Sequence, residues 1–282
     1  MSKVAIVTDS TAYIPQNLVE EFNISVAPQI LIWGEETFED GIDIQPDEFY
    51  ERLKTAKVMP TSSQVTVTSF HDIFTKLSGE GYDILAVLLS DQLSGTIDSA
   101  TQARGSFPNT NIEIIDSETV AMALGFQVLA AARVASQGGD LLQCKEIAER
   151  AKDKTGVIFA VDTLEFLHRG GRIGGGSRYL GAALNIKPIL EVTGGRVESV
   201  ERVRTRKKSL QRILDMVEER VAGSEVVRLA TLHANVSDEA RDLLEQANRR
   251  IKSVESIFST ISPVVGTHAG PGTIGLAYML DI

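Results

Sequence analysis

The sequence predicts an α/β protein of two domains, an N-terminal Rossmann-like parallel sheet followed by a C-terminal α+β domain. Three observations carry this. Through the first half, short apolar runs alternate with helix-like stretches, the pattern of parallel strands joined by right-handed crossovers. The second half instead places a two-residue hairpin signal, Gly194-Gly195, between two strand-like runs. The 282 residues, 43% hydrophobic and 23% charged, describe an ordinary globular chain long enough for two domains.

Val4 to Val7 reads as a buried strand and ends in Thr8-Asp9-Ser10-Thr11. Ile30 to Phe38 reads as a strand turning back on itself, and Asp47 to Lys54 as a short helix, within a small β insert at about 28–60. Pro60-Thr61-Ser62-Ser63-Gln64 is expected to be a polar loop with little regular structure. Ile84 to Leu89 is a second buried strand, ending in Ser90-Asp91-Gln92-Leu93-Ser94-Gly95-Thr96. Ile112 to Ile115 is a third, ending in Asp116-Ser117-Glu118-Thr119. A helix from Met122 to Gln137 is closed by Gly138-Gly139. The boundary is placed near Asp153 to Gly156, giving domains 1–154 and 155–282. Beyond it, Val157 to Val161 reads as a strand, and Arg169 to Gly176 is the most glycine-dense segment. Pro188 to Thr193 and Arg196 to Val203 form the hairpin. Lys207 to Val221 and Asp238 to Ile251 have helical spacing, with strands at Val226 to Leu232 and Ile257 to Ile261.

Charge and motif content exclude several classes. With 28 Lys+Arg against 38 Asp+Glu, the net charge is −10, and the overall field repels nucleic-acid phosphates and anionic lipid. No nucleic-acid partner is expected, and at most transient membrane contact. The lone cysteine, Cys144, lies in a predicted helix and can form no internal disulfide, which with no visible targeting segment predicts a cytoplasmic protein. No P-loop, HExxH or GxSxG motif occurs, and His71, His168, His233 and His268 lack ligand spacing.

The remaining polar features each have two readings. The Asp/Ser/Thr clusters after the strands can cap the next helix, or can meet a ligand beyond the carboxyl ends of a parallel sheet. Ser94-Gly95-Thr96 suits the second role best, because glycine admits close approach and a helix start offers free N–H groups to an anion. Gly270-Pro271-Gly272-Thr273-Ile274-Gly275 matches GxGxxG literally. It lies too near the C-terminus for a dinucleotide unit to follow, so it is expected to lead from an apolar strand through His268 into a closing helix from Thr273. Arg169 and Arg172 bracket Gly170-Gly171, either as a fork for carboxylate or phosphate or as a solvated turn. Arg202, Arg204, Arg206, Lys207 and Lys208 are either a solvated strand edge or a docking face for an acidic partner or a phosphate.

Taken together, these segments resemble a known family. The matching pieces are Val7-Thr8-Asp9-Ser10-Thr11-Ala12, Thr61-Ser62-Ser63-Gln64, Leu89 to Thr96 and Asp116-Ser117. They continue with Leu167-His168-Arg169-Gly170-Gly171-Arg172-Ile173, Lys187-Pro188-Ile189-Leu190, Val203 to Lys208 and Gly266 to Gly272. In this order they resemble the DegV family of bacterial fatty-acid-binding proteins, which includes the binding subunit of fatty acid kinase. The resemblance implies two α/β domains with a long-chain fatty acid between them and no cofactor or metal. It implies that Ser62, Ser94 and His268 hold the carboxylate, with Thr61, Ser63, Gly95 and Thr96 as neighbours. Arg169, Arg172, Arg204 and Arg206 would face a phosphate or an ATP-binding kinase partner. That partner would make the acyl phosphate, and this chain would be a non-catalytic subunit. A lipid sensor without a kinase, or a transferase or hydrolase acting on an acyl or phosphate ester in the cleft, is the alternative. The family's Thr-Ser-Gln-Pro-Ser reads Ser62-Ser63-Gln64-Val65-Thr66 here. Asp91 replaces a second serine and is expected to point away from an anionic ligand.

Overall fold

A computed structural model of the chain describes residues 3–174 and 186–282. Met1 and Ser2, and Gly175 and Gly176 of the glycine-dense segment, lie outside the described residues. β1 (Val4–Asp9) ends in a 3-10 turn at Ser10–Ala12 and leads to α1 (Gln16–Glu21) and β2 (Ser25–Ala27). β3 (Ile30–Trp33) and β4 (Glu36–Glu39) form a hairpin, followed by α2 (Pro46–Leu53) and β5 (Thr61–Ser63). α3 (Val67–Gly79), β6 (Asp83–Leu88), α4 (Thr96–Arg104), β7 (Ile112–Asp116), α5 (Ala121–Ser136) and α6 (Leu141–Lys152) follow. Next come β8 (Thr155–Ala160), α7 (Glu165–Arg169), β9 (Lys187–Thr193), β10 (Arg196–Val203), α8 (Arg206–Val221) and β11 (Arg228–His233). α9 (Ser237–Ile251), β12 (Glu255–Thr260), α10 (Pro263–Ala269) and β13 (Ile274–Met279) complete the order.

The fold is α/β, with a parallel sheet in the first half and a mixed sheet in the second. The parallel sheet has the order β2-β1-β6-β7, and the mixed sheet β10-β9-β8-β13-β11-β12. A third, antiparallel sheet has the order β4-β3-β5. α5 joins the two larger sheets. Residues Ala121 to Ala132 are buried on every face of the helix, against β1 and β6 on one side and β8, β11 and β13 on the other. A helix apolar all round is the sequence signature of such a position. Cys144 is buried on α6, and burial pushes its thiol up to about 11. No helix among the described residues is long and apolar enough to cross a membrane.

Three local expectations need correction. The Pro60 to Gln64 segment is not wholly irregular, because Thr61–Ser63 pairs with β3, Leu31 facing Ser62. Its backbone partners come from a distant hairpin, so no local pattern announces it. The segment after Thr273 is not a helix but β13, buried on both faces between β8 and β11. A short apolar run flanked by sheet partners becomes a strand whatever its helical spacing. His268 is not at a helix start either. Pro263 occupies the first turn of α10 and His268 its last, so no helix N-terminus faces an anion there.

Candidate ligand site

The sequence singled out hydroxyls, one histidine and four arginines, and the structure brings several of them to one cavity. The space, open mouth included, is about 810 Å³, within the range of small-molecule sites. Its body is apolar and draws on both larger sheets: Leu89 and Leu93 follow β6, Val157 and Phe159 lie on β8, and Val192 and Val197 lie on the β9–β10 hairpin. Ser62, Ser63, Gln64, Ser94, Arg172 and His268 line its polar end.

Ser62 Oγ and His268 Nε2 lie 2.6 Å apart, joining the small sheet to α10. Burial, then the charge of Arg172, pushes the His268 imidazole down to about 4, so it is neutral at physiological pH. Its Nδ1 is buried without a hydrogen-bond partner among the described residues and abuts Gly170, where a Cβ would sit 2.8 Å from the ring's Cε1. That close approach explains a glycine at 170, whose φ needs none. Arg172 donates from Nε to Leu93 O at 3.0 Å and from Nη1 to Gly170 O at 2.7 Å. No carboxylate pairs with Arg172 among the described residues. A guanidinium half-buried with no carboxylate partner among the described residues, beside a neutral imidazole and the hydroxyls of Ser62 and Ser94, leaves the polar end short of one negative charge.

The other singled-out residues are placed as follows. Gly95 is the N-cap of α4 and makes no side-chain cap. Gln64 packs on it, with its amide carbon 3.1 Å from where a Cβ would stand. Thr96 is buried, with Oγ1 2.9 Å from Ser94 Oγ. Thr61 and Arg169 do not reach this cavity; they line a second one, about 590 Å³, across Ser62, Arg172 and His268. Arg169 also pairs with Glu165. Arg204 is exposed. Arg206 donates to Glu239 at 2.9 Å and to Gly272 O at 2.6 Å, and so ties α8 to the glycine turn before β13. Asp91 is exposed and accepts from Gln92, away from the cavity.

Asp9 is a strand-end residue with an internal task. It is buried, accepts from Thr11 and from Leu89 N–H, and burial raises its pKa. Thr11, Tyr13, Gln29 and Thr273 also line the cavity and were not singled out as site residues. Gln29 is the one with a usable signal, a polar residue amid the apolar Val26 to Trp33 run.

A family model described as an uncharacterised protein of the DegV family matches residues 3–281. The chain belongs to the DegV family. Among its relatives, a DegV domain-containing protein of Streptomyces coelicolor is 36% identical over 97% of each chain. Protein DegV of Bacillus subtilis is 34% identical over 98% of each. Among solved structures, DegV of Bacillus subtilis, described as a fatty acid binding protein, matches with a TM-score of 0.92 at 32% identity over the whole of both chains. A fatty-acid-binding DegV family protein from Thermus thermophilus matches with a TM-score of 0.92 at 30% identity, over 99% of this chain and 100% of that one. In this DegV chain the cavity therefore lies in the fold that those proteins share.

Proposed function

We propose that the chain binds one long-chain fatty acid, with the carboxylate among Ser62, Ser94, His268 and Arg172 and the tail in the apolar body of the cavity. Arg172, which meets no carboxylate among the described residues and stands at the polar end of a cavity with an apolar body, carries this reading, and DegV relatives described as fatty acid binding support it. A buried methylene contributes about 0.8 kcal/mol, so some fourteen contribute roughly 11 kcal/mol gross, much of it offset by freedom lost on binding. The head needs only enough donors to avoid an unpaired buried charge. Hydroxyls, the guanidinium and an imidazole with Nε2–H supply them.

The bound carboxylate is then presented to an ATP-dependent kinase partner, which transfers a phosphoryl group to form an acyl phosphate. This step rests on the resemblance to the binding subunit of fatty acid kinase. The second cavity, with Arg169 and Arg172 on its wall, supports it. In this reading the chain catalyses no step; it fixes the position of the nucleophilic oxygen. With Arg206 held by Glu239 and Gly272, Arg204, Lys207 and Lys208 of the basic cluster are exposed for docking, as is Arg169 beside its partner Glu165.

Denaturing mass spectrometry of the purified protein, with palmitate titration by calorimetry, tests the binding reading. A co-purified fatty acid or saturable palmitate binding is expected. Ser62→Ala and His268→Ala should each raise the palmitate Kd roughly tenfold, the worth of one hydrogen bond to a charged group. Absence of lipid and of palmitate binding by the wild type sinks the reading.

A further inference from the structure

The two sides of the head-group site sit on separate elements, Ser94 just before α4 and His268 on α10. A buried chain of hydrogen bonds joins them, with Asp40 in its middle. α10 begins Ser262-Pro263-Val264. Its N-cap Ser262 makes no side-chain cap, and Pro263 has no N–H to offer. The first free donor, Val264 N–H, is taken by Asp40 Oδ1 at 3.1 Å. Asp40 thus caps the helix from outside it, a role that suits a carboxylate at a helix start. Four residues on, on the same face of the helix, stands His268.

The other carboxylate oxygen leads to Ser94. Ser10 Oγ donates to Asp40 Oδ2 at 2.6 Å and accepts from Gln29 N–H at 3.1 Å. Gln29 Nε2 donates to Thr96 Oγ1 at 3.0 Å, which lies 2.9 Å from Ser94 Oγ. Asp40 N–H itself donates to Gln29 O at 2.9 Å. Asp40 is 2% exposed, and water cannot stand in for a missing member without a cavity to hold it.

We propose that Asp40 is a positioning residue of the head-group site, setting His268 through Val264 and α10, and Ser94 through Ser10, Gln29 and Thr96. This rests on the fatty-acid reading above. The ionised carboxylate is the competent form, because both oxygens accept. Protonation turns one oxygen into a donor and so takes away the acceptor of either Val264 N–H or the Ser10 hydroxyl proton. The titratable groups facing Asp40 are Asp9 at the end of β1, Tyr13 after the 3-10 turn and Tyr50 on α2. None is a cation, and no ion pair to Asp40 occurs among the described residues. α10 presents Val264 N–H, and Ser262 lies beside it. Burial raises Asp40 from 3.8 to about 6, so its ionised fraction changes within the range where a fatty acid is already ionised and His268, at about 4, stays neutral.

The test is palmitate titration of the intact chain at pH 5.5 and 7.5, with wild type, Asp40→Asn and Asp40→Ala, folding checked by circular dichroism. If only ionised Asp40 is competent, wild-type affinity rises about fourfold between the two pH values, following the competent fraction. Asp40→Asn keeps an acceptor for Val264 but donates to Ser10, so it should bind more weakly at pH 7.5 and lose the pH dependence. A folded Asp40→Asn protein with wild-type affinity overturns the proposal. So does a weakened one that keeps the fourfold dependence, which marks Asp40 as structural only. Absence of palmitate binding by the wild type sinks the fatty-acid reading itself, an outcome distinct from either.

Discussion

Gly170→Ala is the sharpest perturbation the site offers. The added methyl would stand 2.8 Å from His268 Cε1 and 3.1 Å from Cγ, and closer still to Nδ1. The imidazole has no straight retreat, because Ser62 Oγ already lies 2.6 Å from Nε2. The ring must rotate away. A shift of about 1 Å carries the Ser62 pair beyond hydrogen-bonding distance. It also withdraws the imidazole from a bound carboxylate, an interaction worth about 1.5–3 kcal/mol. The palmitate Kd should therefore rise roughly 10- to 100-fold, while repacking costs about 1–3 kcal/mol of stability. Gly171→Ala is the control. Its φ is +68° but nothing lies within 4 Å. It should cost about 1–2 kcal/mol of backbone strain and leave affinity within about threefold of wild type, less than half the free energy of a tenfold loss avoided. Calorimetric titration with palmitate and thermal melting read both quantities. A Gly170→Ala protein that binds like wild type would refute the placement of His268 against Gly170.

Two further outcomes are expected. Gly195 has φ +77°, and its added Cβ would press on Ser90 Oγ and lie 3.1 Å from Gln92 Cγ. Ser90 donates to Gly195 O at 2.9 Å and Arg196 reaches Gln92 at 2.6 Å, so this contact holds the β9–β10 wall of the cavity against the first sheet. Gly195→Ala should cost about 1–3 kcal/mol and speed palmitate release several-fold in stopped-flow measurements; an unchanged release rate removes the hairpin as a restraint. Asp40 and His268 should also pull stability in opposite directions with pH. Asp40 rises from 3.8 to about 6, so its contribution is present below pH 3.8 and lost as pH rises through 6. His268 falls from 6.5 to about 4, so its contribution is present above pH 6.5 and lost as pH falls through 4. Each amounts to about 3 kcal/mol. From pH 4 to 6.5, Asp40→Asn should give melting temperatures that climb relative to wild type, and His268→Asn temperatures that drop; parallel curves would contradict both assignments.

The parallel sheet and the β9–β10 hairpin were legible because their signals are local. Apolar runs ending in Asp/Ser/Thr clusters, and Gly194-Gly195 between two strand patterns, constrain the backbone through burial and turn geometry within a few residues. The same holds for α5, expected as a helix from Met122 to Gln137 and observed at Ala121–Ser136. The polar chemistry of Ser62, Ser94, Arg172 and His268 was legible as residue types. What the sequence could not show was any feature whose partner lies far along the chain. β5 exists through Leu31, β13 is a strand through β8 and β11, and His268 sits at the end of a helix capped from outside by Asp40. Arg206 looked like part of an exposed basic cluster until Glu239 and Gly272 were seen to hold it. The sequence by itself determined the layered architecture and the stock of hydroxyl, imidazole and guanidinium groups, because hydrophobic periodicity and turn residues act over short spans. Only the tertiary structure decided which groups meet at the cavity, that Arg172 there meets no carboxylate among the described residues, and that one buried aspartate joins both sides. Those depend on contacts between residues as far apart as Asp40 and Val264.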